Sequence, residues 1–365
     1  MEHKNRHQAF MARAVELAHK GRYGAHPNPM VGAVIVKNGR VIGEGAHLRC
    51  GGPHAEVNAL RACGGRARGA ALYVTLEPCS TYGKTPPCTG AIVKAGLTSV
   101  FIGAPDPSPA NGGKAAALLR RAGLKVRTGL LKKDCVALNP AFNKFMRTGL
   151  PYVTLKIAQS LDGKIADAGG RSRWISGPEA RLEGHKLRAE ADAVLAGIGT
   201  VLADDPRLNV RGVKVNRQPW VIALDSSLRV PPRAKIFRSE RVLVATTRRA
   251  SVTVLKKLPK NVKVLVLPSD QGRVSLPALL KALGGLGISS ILVEGGGSVV
   301  GSFISQGLAD RFVCFVAPLI IGGTASRNSM VWPDALNAAR KELGLKARIT
   351  SIGRAGADLR LELKF

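Results

Sequence analysis

At 365 residues, with 45% hydrophobic and 22% charged side chains, the chain is long enough for two hydrophobic cores and too apolar for wholesale disorder. Lysine and arginine outnumber aspartate and glutamate by 55 to 24, a formal charge of +31 that favours anionic partners. The basic residues are scattered as pairs such as Arg120-Arg121, Lys132-Lys133 and Arg248-Arg249 with few aromatics nearby, which argues against nucleic-acid binding and leaves solvated faces and phosphate-bearing small molecules.

The N-terminal stretch has no apolar core of the kind a signal peptide needs, and no later stretch reaches the length of a membrane span. It is basic and mildly amphipathic, as a transit peptide is, but reads better as a first helix over residues 5–20 that buries Phe10, Ala14, Leu17 and Ala18. "MVGAVIV" and "RVIGEGA" read as strands joined by a turn at Asn38-Gly39. "HAEVNALRAC" has helical spacing, "ALYVT" reads as a strand, the segment opening at Cys88 as a helix, and "SVFIGA" as a strand. After the helix "KAAALLRRAG" and the strand "KVRTGLL", the turn and breaker residues of "ALNPAFNKFMRTGLP" predict a connection between domains 1–148 and 149–365. A second series of strands runs through "YVTLKIAQS", "DAVLAGI", "WVIALD", "RVLVATT", "VKVLVL", "SILVEG" and "FVCFVAPLI", with helices near Glu179 to Ala189, Leu276 to Leu283 and Val299 to Gln306. Alternating helices and strands predict an α/β fold in both parts, and the continuous apolar strands of the second predict burial on both faces.

Six unevenly spaced cysteines in a chain this long do not make a disulfide framework. Two serving as metal ligands and four as small buried residues implies a reducing cytoplasm. His54, Cys79 and Cys88 supply the three protein ligands of a hydrolytic zinc site, whose fourth position carries water. Glu56, two residues beyond the histidine, can pass protons between that water and a leaving amine. His47 and Cys50 are the candidates for a fourth ligand if the site is closed and purely structural.

"HPNPMVGAVIV", "HAEVNAL" and "LEPCSTYGKTPPCTGAIVKAG" resemble the cytidine-deaminase-like superfamily, and within it the deaminase half of the bifunctional riboflavin-biosynthesis deaminase/reductases. The eight residues between Cys79 and Cys88 match that half; deaminases of nucleic acids and cytidine usually have two. The resemblance implies a three-layer α/β/α deaminase domain in which Asn28, His47 and Lys84 contact a pyrimidine nucleotide and Asp106 shapes the pocket. Thr81 stands where the family usually has histidine, and Ser108 where it usually has asparagine. Both departures bear on substrate contact and leave the metal set intact.

"SILVEGGGSVVGSFI" reads as a buried strand, a triple glycine and a helix, an arrangement that lets backbone N–H groups approach a pyrophosphate but is not the G-x-G-x-x-G fingerprint. With "YVTLKIAQSLDGKIA", "SRWISG", "LRAEADAVLAGIGTVLADDPRLNVR" and "FVAPLIIGG" it resembles the reductase half of the same family, which has a dihydrofolate-reductase-like α/β fold and uses NADPH. By that resemblance Ala158, Trp174, Thr200, Asp204 and Ser227 line NADPH, together with the loop Gly296, Gly297, Ser298, Val299, Val300, Gly301 and Ser302. Ser172, Arg188, Leu208, Arg211 and Glu294 hold a ribose phosphate, the two arginines gripping the phosphate and Asp204 or Glu294 orienting sugar hydroxyls or handling a proton.

The implied chemistry is hydrolytic deamination of a diaminopyrimidinone ribosylamine 5′-phosphate, then reduction of the ribosyl chain to ribityl, by a cytoplasmic homo-oligomer, dimer or tetramer, with no nucleic-acid or membrane partner. Two rivals remain open: a nucleic-acid base deaminase with a basic binding module, and a reductase whose zinc half is only structural.

Overall fold

Asn38 and Gly39 both take left-handed backbone, φ 50° and 74°, the geometry of a tight two-residue hairpin turn. They join β1 (Gly32–Lys37) to β2 (Arg40–Ala46), paired antiparallel from Gly32 opposite Ala46 to Lys37 opposite Arg40. The computed structural model describes residues 2–82, 86–109, 111–331 and 345–365. The chain divides into two compact units, Met1–Gly149 and Leu150–Phe365.

In the first unit β3 (Ala71–Leu76), β4 (Ser99–Ala104) and β5 (Lys125–Thr128) run parallel beside the hairpin, giving the sheet order β2-β1-β3-β4-β5. Its helices are α1 (Glu2–Ala18), α2 (Ala55–Ala62), α3 (Cys88–Lys94), α4 (Lys114–Arg121), α5 (Lys132–Ala137) and α6 (Pro140–Thr148). Glycines set the layers. A Cβ at Gly32 would lie 1.9 Å from the carbonyl oxygen of Ala14 in α1. At Gly43 and Gly45 it would lie 2.4 and 2.2 Å from those of Ala59 and Ala55 in α2. Gly32 and Gly45 point to opposite faces, since Gly45 pairs with Ala33. The two helices therefore sandwich the sheet, as the three-layer expectation requires, and α2 seats directly on β2. The turn- and breaker-rich stretch expected to connect the domains carries helix α6. Pro140 occupies its first turn, where a missing N–H costs nothing, and left-handed Gly149 (φ 68°) ends it.

The second unit comprises β6 (Tyr152–Ser160), β7 (Lys164–Ala166), α7 (Pro178–Glu190), β8 (Ala193–Gly197), α8 (Ile198–Asp204), β9 (Trp220–Leu224), β10 (Val242–Thr246), α9 (Val252–Leu255), β11 (Val262–Val266), β12 (Ser269–Asp270), β13 (Arg273–Val274), α10 (Leu276–Gly285), β14 (Ser290–Val293), α11 (Gly297–Ser305), β15 (Arg311–Ala317), β16 (Arg327–Asn328), β17 (Arg348–Ala355) and β18 (Asp358–Lys364). Nine strands form one sheet in the order β11-β10-β9-β8-β14-β6-β15-β18-β17. The first seven are parallel, and β18 and β17 close the edge as an antiparallel hairpin. Every residue of β8, β10 and β14 is buried, as strands covered on both faces must be. Strand order reverses between β8 and β14, so the loops after these strands diverge and open a crevice at their C-terminal ends.

Candidate active sites

In the first unit, His54 stands at the N-cap of α2 with extended backbone, its ring making no cap bond. Its Nδ1 lies 3.3 Å from Cys88 Sγ and 3.5 Å from Cys79 Sγ. Cys79 follows β3, and Cys88 opens α3 after Pro87, donating its backbone N–H to Cys79 Sγ at 3.2 Å. The three ligand atoms lie within 4.8 Å of one another. The Cys88 hydrogen bond, with His54 adding to it, holds Cys79 down to about 4, while Cys88 is held up by its bond to Cys79 and by burial. One nitrogen and two sulfurs at this spacing fit a tetrahedral zinc ion with a position left over. Glu56, one residue into α2, is only 3% exposed, and burial raises its pKa.

A cleft of about 330 Å³ opens beside this cluster and is lined by His54, Glu56, Cys79, Asn28, His47, Thr81 and Asp106 among others. His47 is buried and held neutral by that burial. Both of its nitrogens are engaged, Nδ1 with the Pro53 carbonyl at 3.0 Å and Nε2 with Asn28 Nδ2 at 3.1 Å. Cys50 Sγ faces Asn28 Oδ1 at 3.8 Å. Neither His47 nor Cys50 joins the metal-ligating group. Lys84 lies outside the described residues.

Two residues that the motif reading passed over organise this pocket. Glu77, 5% exposed, accepts the backbone N–H groups of Asp106 (3.2 Å), Gly113 (2.9 Å) and Ala116 (3.1 Å), tying the loop after β4 and the start of α4 to the segment carrying Cys79. Asn111 accepts from Thr81 Oγ1 at 3.2 Å, while Asp106 caps the Ser108 N–H at 2.9 Å. The departures at Thr81 and Ser108 thus sit on two loops that the Thr81–Asn111 bond ties together. "LEPC" carried the signal for Glu77, an acid two residues before a metal ligand, but its partners lie about thirty to forty residues further along the chain.

In the second unit, Arg188 on α7 and Glu294 after β14 meet as a bidentate pair, and Arg188 also donates to the Asn209 carbonyl at 2.9 Å. Burial pushes the Glu294 carboxyl up, but Arg188, helped by Lys156 at 3.9 Å, overrides it and holds the pKa at about 2. Glu294 is therefore ionised at every ordinary pH, suited to accepting from hydroxyls and unsuited to proton transfer. The Arg188 fork is occupied, which leaves exposed Arg211 as the free-reaching arginine. Its Nη1 donates to Asn209 Oδ1 at 2.7 Å and its backbone N–H to His185 Nδ1 at 3.2 Å. Burial and the neighbouring Arg188 and Arg211 push His185 down to about 4, so its ring is neutral. Ser172 donates to Asp204 Oδ1 at 3.2 Å. Leu208 is a core side chain on left-handed backbone (φ 53°) that can offer a ligand only its main chain.

Gly296 to Ser302 form less of a loop than expected, because α11 begins at Gly297. A Cβ at Gly297 would lie 2.4 Å from the Asn328 carbonyl oxygen, and one at Gly301 would lie 2.0 Å from that of Val331, so these two glycines admit the passing chain. Val300 is in the core. At Gly296 a Cβ would meet only Thr200 Oγ1, at 3.6 Å, and no side chain caps α11. Gly296, the Ser298 end of the helix and Thr200 thus frame an open cradle at the β8/β14 crevice that fits a pyrophosphate. Ala158 is half-buried on β6, Ser227 is exposed after β9, and exposed Trp174 carries the Arg181 guanidinium 4.5 Å above its ring.

The chain matches the model of the RibD C-terminal domain over residues 151–360 and that of the cytidine and deoxycytidylate deaminase zinc-binding region over residues 4–104. It is 43% identical to the riboflavin biosynthesis protein RibD of Bacillus amyloliquefaciens over 96% of this chain and 94% of that one, and 43% identical to its Escherichia coli counterpart over 87% and 89%. The solved structure of Acinetobacter baumannii RibD superposes with a TM-score of 0.88 at 38% identity, covering 99% of each chain. The Thermotoga maritima diaminohydroxyphosphoribosylaminopyrimidine deaminase/5-amino-6-(5-phosphoribosylamino)uracil reductase does so at 0.86 and 34%, also covering 99% of each.

Proposed function

The chain belongs to the RibD family of bifunctional riboflavin-biosynthesis deaminase/reductases, with zinc and NADPH as cofactors, and from that membership we propose how its residues divide the two steps. Residues 1–148 are the deaminase domain and 149–365 the reductase domain, a division supported by the two compact units and the two family matches. The substrate is 2,5-diamino-6-ribosylamino-4(3H)-pyrimidinone 5′-phosphate, and the product of both steps is 5-amino-6-(5-phosphoribitylamino)uracil.

The observation that carries the first step is the convergence of His54, Cys79 and Cys88 beside buried Glu56. Zinc held by these three residues would lower the pKa of a bound water to about 7 and supply the nucleophile. Glu56, buried beside the three ligands, would carry a proton from that water to the leaving amine. Neutral His47, donating to the Pro53 carbonyl, accepts from Asn28 and holds that amide at the cleft, where it meets the pyrimidine. Asp106, on the loop gripped by Glu77, bounds the pocket, and Lys84 meets the phosphate.

In the second step NADPH, once bound, would supply a hydride to C1′ of the opened ribose. Ala158, Trp174, Thr200, Asp204, Ser227 and the α11 start position it. Arg211 holds the substrate phosphate, with Ser172 and the Leu208 main chain beside the sugar. Glu294, kept ionised by Arg188, orients the ribose hydroxyls.

The test is to supply the diaminopyrimidine nucleotide with and without NADPH while following ammonia and reduced-nicotinamide absorbance. Ammonia should appear without NADPH, and oxidation should require both. Oxidation without prior ammonia release would overturn the order of steps. We further infer a homo-oligomer, dimer or tetramer, in the cytoplasm, in keeping with the family resemblance and with thiols that must stay reduced to bind metal. Light scattering on the purified chain checks the stoichiometry.

A further inference from the structure

Asn139 stands at the N-cap of α6, where an asparagine side chain ordinarily accepts a free N–H of the helix's own first turn. Here it makes no such bond. Its buried amide is turned instead onto Met30, 109 positions earlier in the chain, with Oδ1 accepting the Met30 N–H at 2.7 Å and Nδ2 donating to the Met30 carbonyl at 2.9 Å. One side chain thus satisfies both backbone groups of a single residue, as a neighbouring strand would.

Both ends of this clamp belong to the cleft beside the His54, Cys79 and Cys88 cluster. Met30 sits between Pro29 and Val31, which line the cleft, and two residues beyond Asn28, whose amide meets His47 there. On the helix side, Phe142 lies three residues after Asn139, close to the same face of α6, and its side chain lines the cleft as well. The first helical bond, from the Asn143 N–H to the Asn139 carbonyl at 2.9 Å, starts at the clamped residue itself. The clamp therefore fixes the turn that carries the Phe142 ring.

Phe142 is not a core side chain. No residue of α6 is fully buried, and Phe142 is half-buried, packed against the rim of the core of the first unit. Among the described residues that line the cleft it carries the one benzene ring. The roles given above to Asn28, Asp106 and Lys84 concern the edges of the pyrimidine, the pocket wall and the phosphate, and none covers a face of the ring. A planar heterocycle gains from a flat apolar face, and an aromatic side chain supplies one without demanding any particular pattern of donors and acceptors.

We propose that Phe142 supplies the apolar face against which the pyrimidine ring of the substrate lies in the deaminase cleft, and that Asn139 is the positioning residue that holds it there through the Met30 backbone. This rests on the reading of the first unit as the deaminase.

The test follows steady-state ammonia release from the diaminopyrimidine nucleotide, without NADPH, by the full chain loaded with zinc. Phe142→Leu keeps apolar bulk but no ring face, and should raise KM about tenfold while kcat changes by less than about twofold, because a contact made equally in ground and transition states is uniform binding. Phe142→Tyr, which keeps the ring, should show little of that rise. Asn139→Ala, which leaves both Met30 backbone groups unpaired, should raise KM in the wild-type background and add little in the Phe142→Leu background, since the two residues act as one unit. Zinc content and NADPH oxidation with the deaminated nucleotide monitor folding in every variant. A leucine variant with the wild-type KM, or a tyrosine variant as poor as leucine, overturns the assignment of Phe142. Full additivity of the two substitutions overturns that of Asn139, because a residue that acts through another has no effect once the other is gone. If the wild type itself releases no ammonia, the deaminase reading is what fails.

Discussion

Arg188 closes on both carboxylate oxygens of Glu294, Nε to Oε1 at 2.6 Å and Nη2 to Oε2 at 2.9 Å, with the two side chains only 15% and 12% exposed. Because the folded Glu294 pKa is depressed to about 2, its contribution to stability is fully present above the ordinary glutamate value and is lost as pH falls from about 4.5 towards 2. Arg188→Ala should destabilise the protein by about 3–5 kcal/mol at neutral pH by stranding a buried carboxylate. Urea unfolding of wild type and variant at pH 7 and pH 3 checks this. The difference should shrink at the lower pH, where Glu294 can be protonated in the variant.

Glu77→Gln replaces one acceptor oxygen of a group that takes three backbone N–H bonds with an amide that donates. At least one buried N–H loses its partner, a cost of about 1–3 kcal/mol. The loop bearing Asp106 and Ser108 should loosen, raising the deaminase KM more than it lowers kcat, with zinc content and the reductase step unchanged. An unaltered KM would show that this loop does not meet the substrate.

Cys88→Ser should lose both zinc and ammonia release, since a neutral hydroxyl replaces one of only three protein ligands. Glu56→Gln should keep zinc yet deaminate about two to four orders of magnitude more slowly, the scale of a lost general acid-base. Given the deaminated nucleotide, the Glu56 variant should oxidise NADPH normally, whereas Asp204→Asn should release ammonia normally and reduce slowly. Metal analysis and the two assays on each variant separate these outcomes. Loss of both activities from either substitution in folded protein would mean that the sites are shared.

Arg211→Ala should raise the reductase KM for the phosphorylated substrate and leave that for NADPH in place, since the Arg188 fork is already taken by Glu294. Steady-state kinetics with each substrate varied in turn decide it, and movement of the NADPH term alone would reassign the arginine.

Much of this protein was legible along the chain because its signals are local. Asn38-Gly39 is a turn wherever alternating strands flank it, "HAE" with "PC" and a distant cysteine points to a zinc donor set, and the apolar runs of β8, β10 and β14 point to strands buried on both faces. Other features were read less well for equally local reasons. Pro140 and Gly149 look like breakers in sequence but serve as the first-turn and terminal residues of α6. The exposed edge strand β17 lacks the burial pattern that marks a strand.

What only the tertiary structure decided is partnership. The sequence supplies Arg188 and Glu294 as two residues that could each hold a substrate, yet 106 residues apart they hold each other. Gly297 and Gly301, which suggested room for a cofactor, admit the backbone of Asn328 and Val331 instead. Residue type and spacing determine which chemistry a segment can perform. Which of its possible partners a charged or small residue meets depends on long-range packing, where a few tenths of an ångström and the burial of a charge outweigh any local preference.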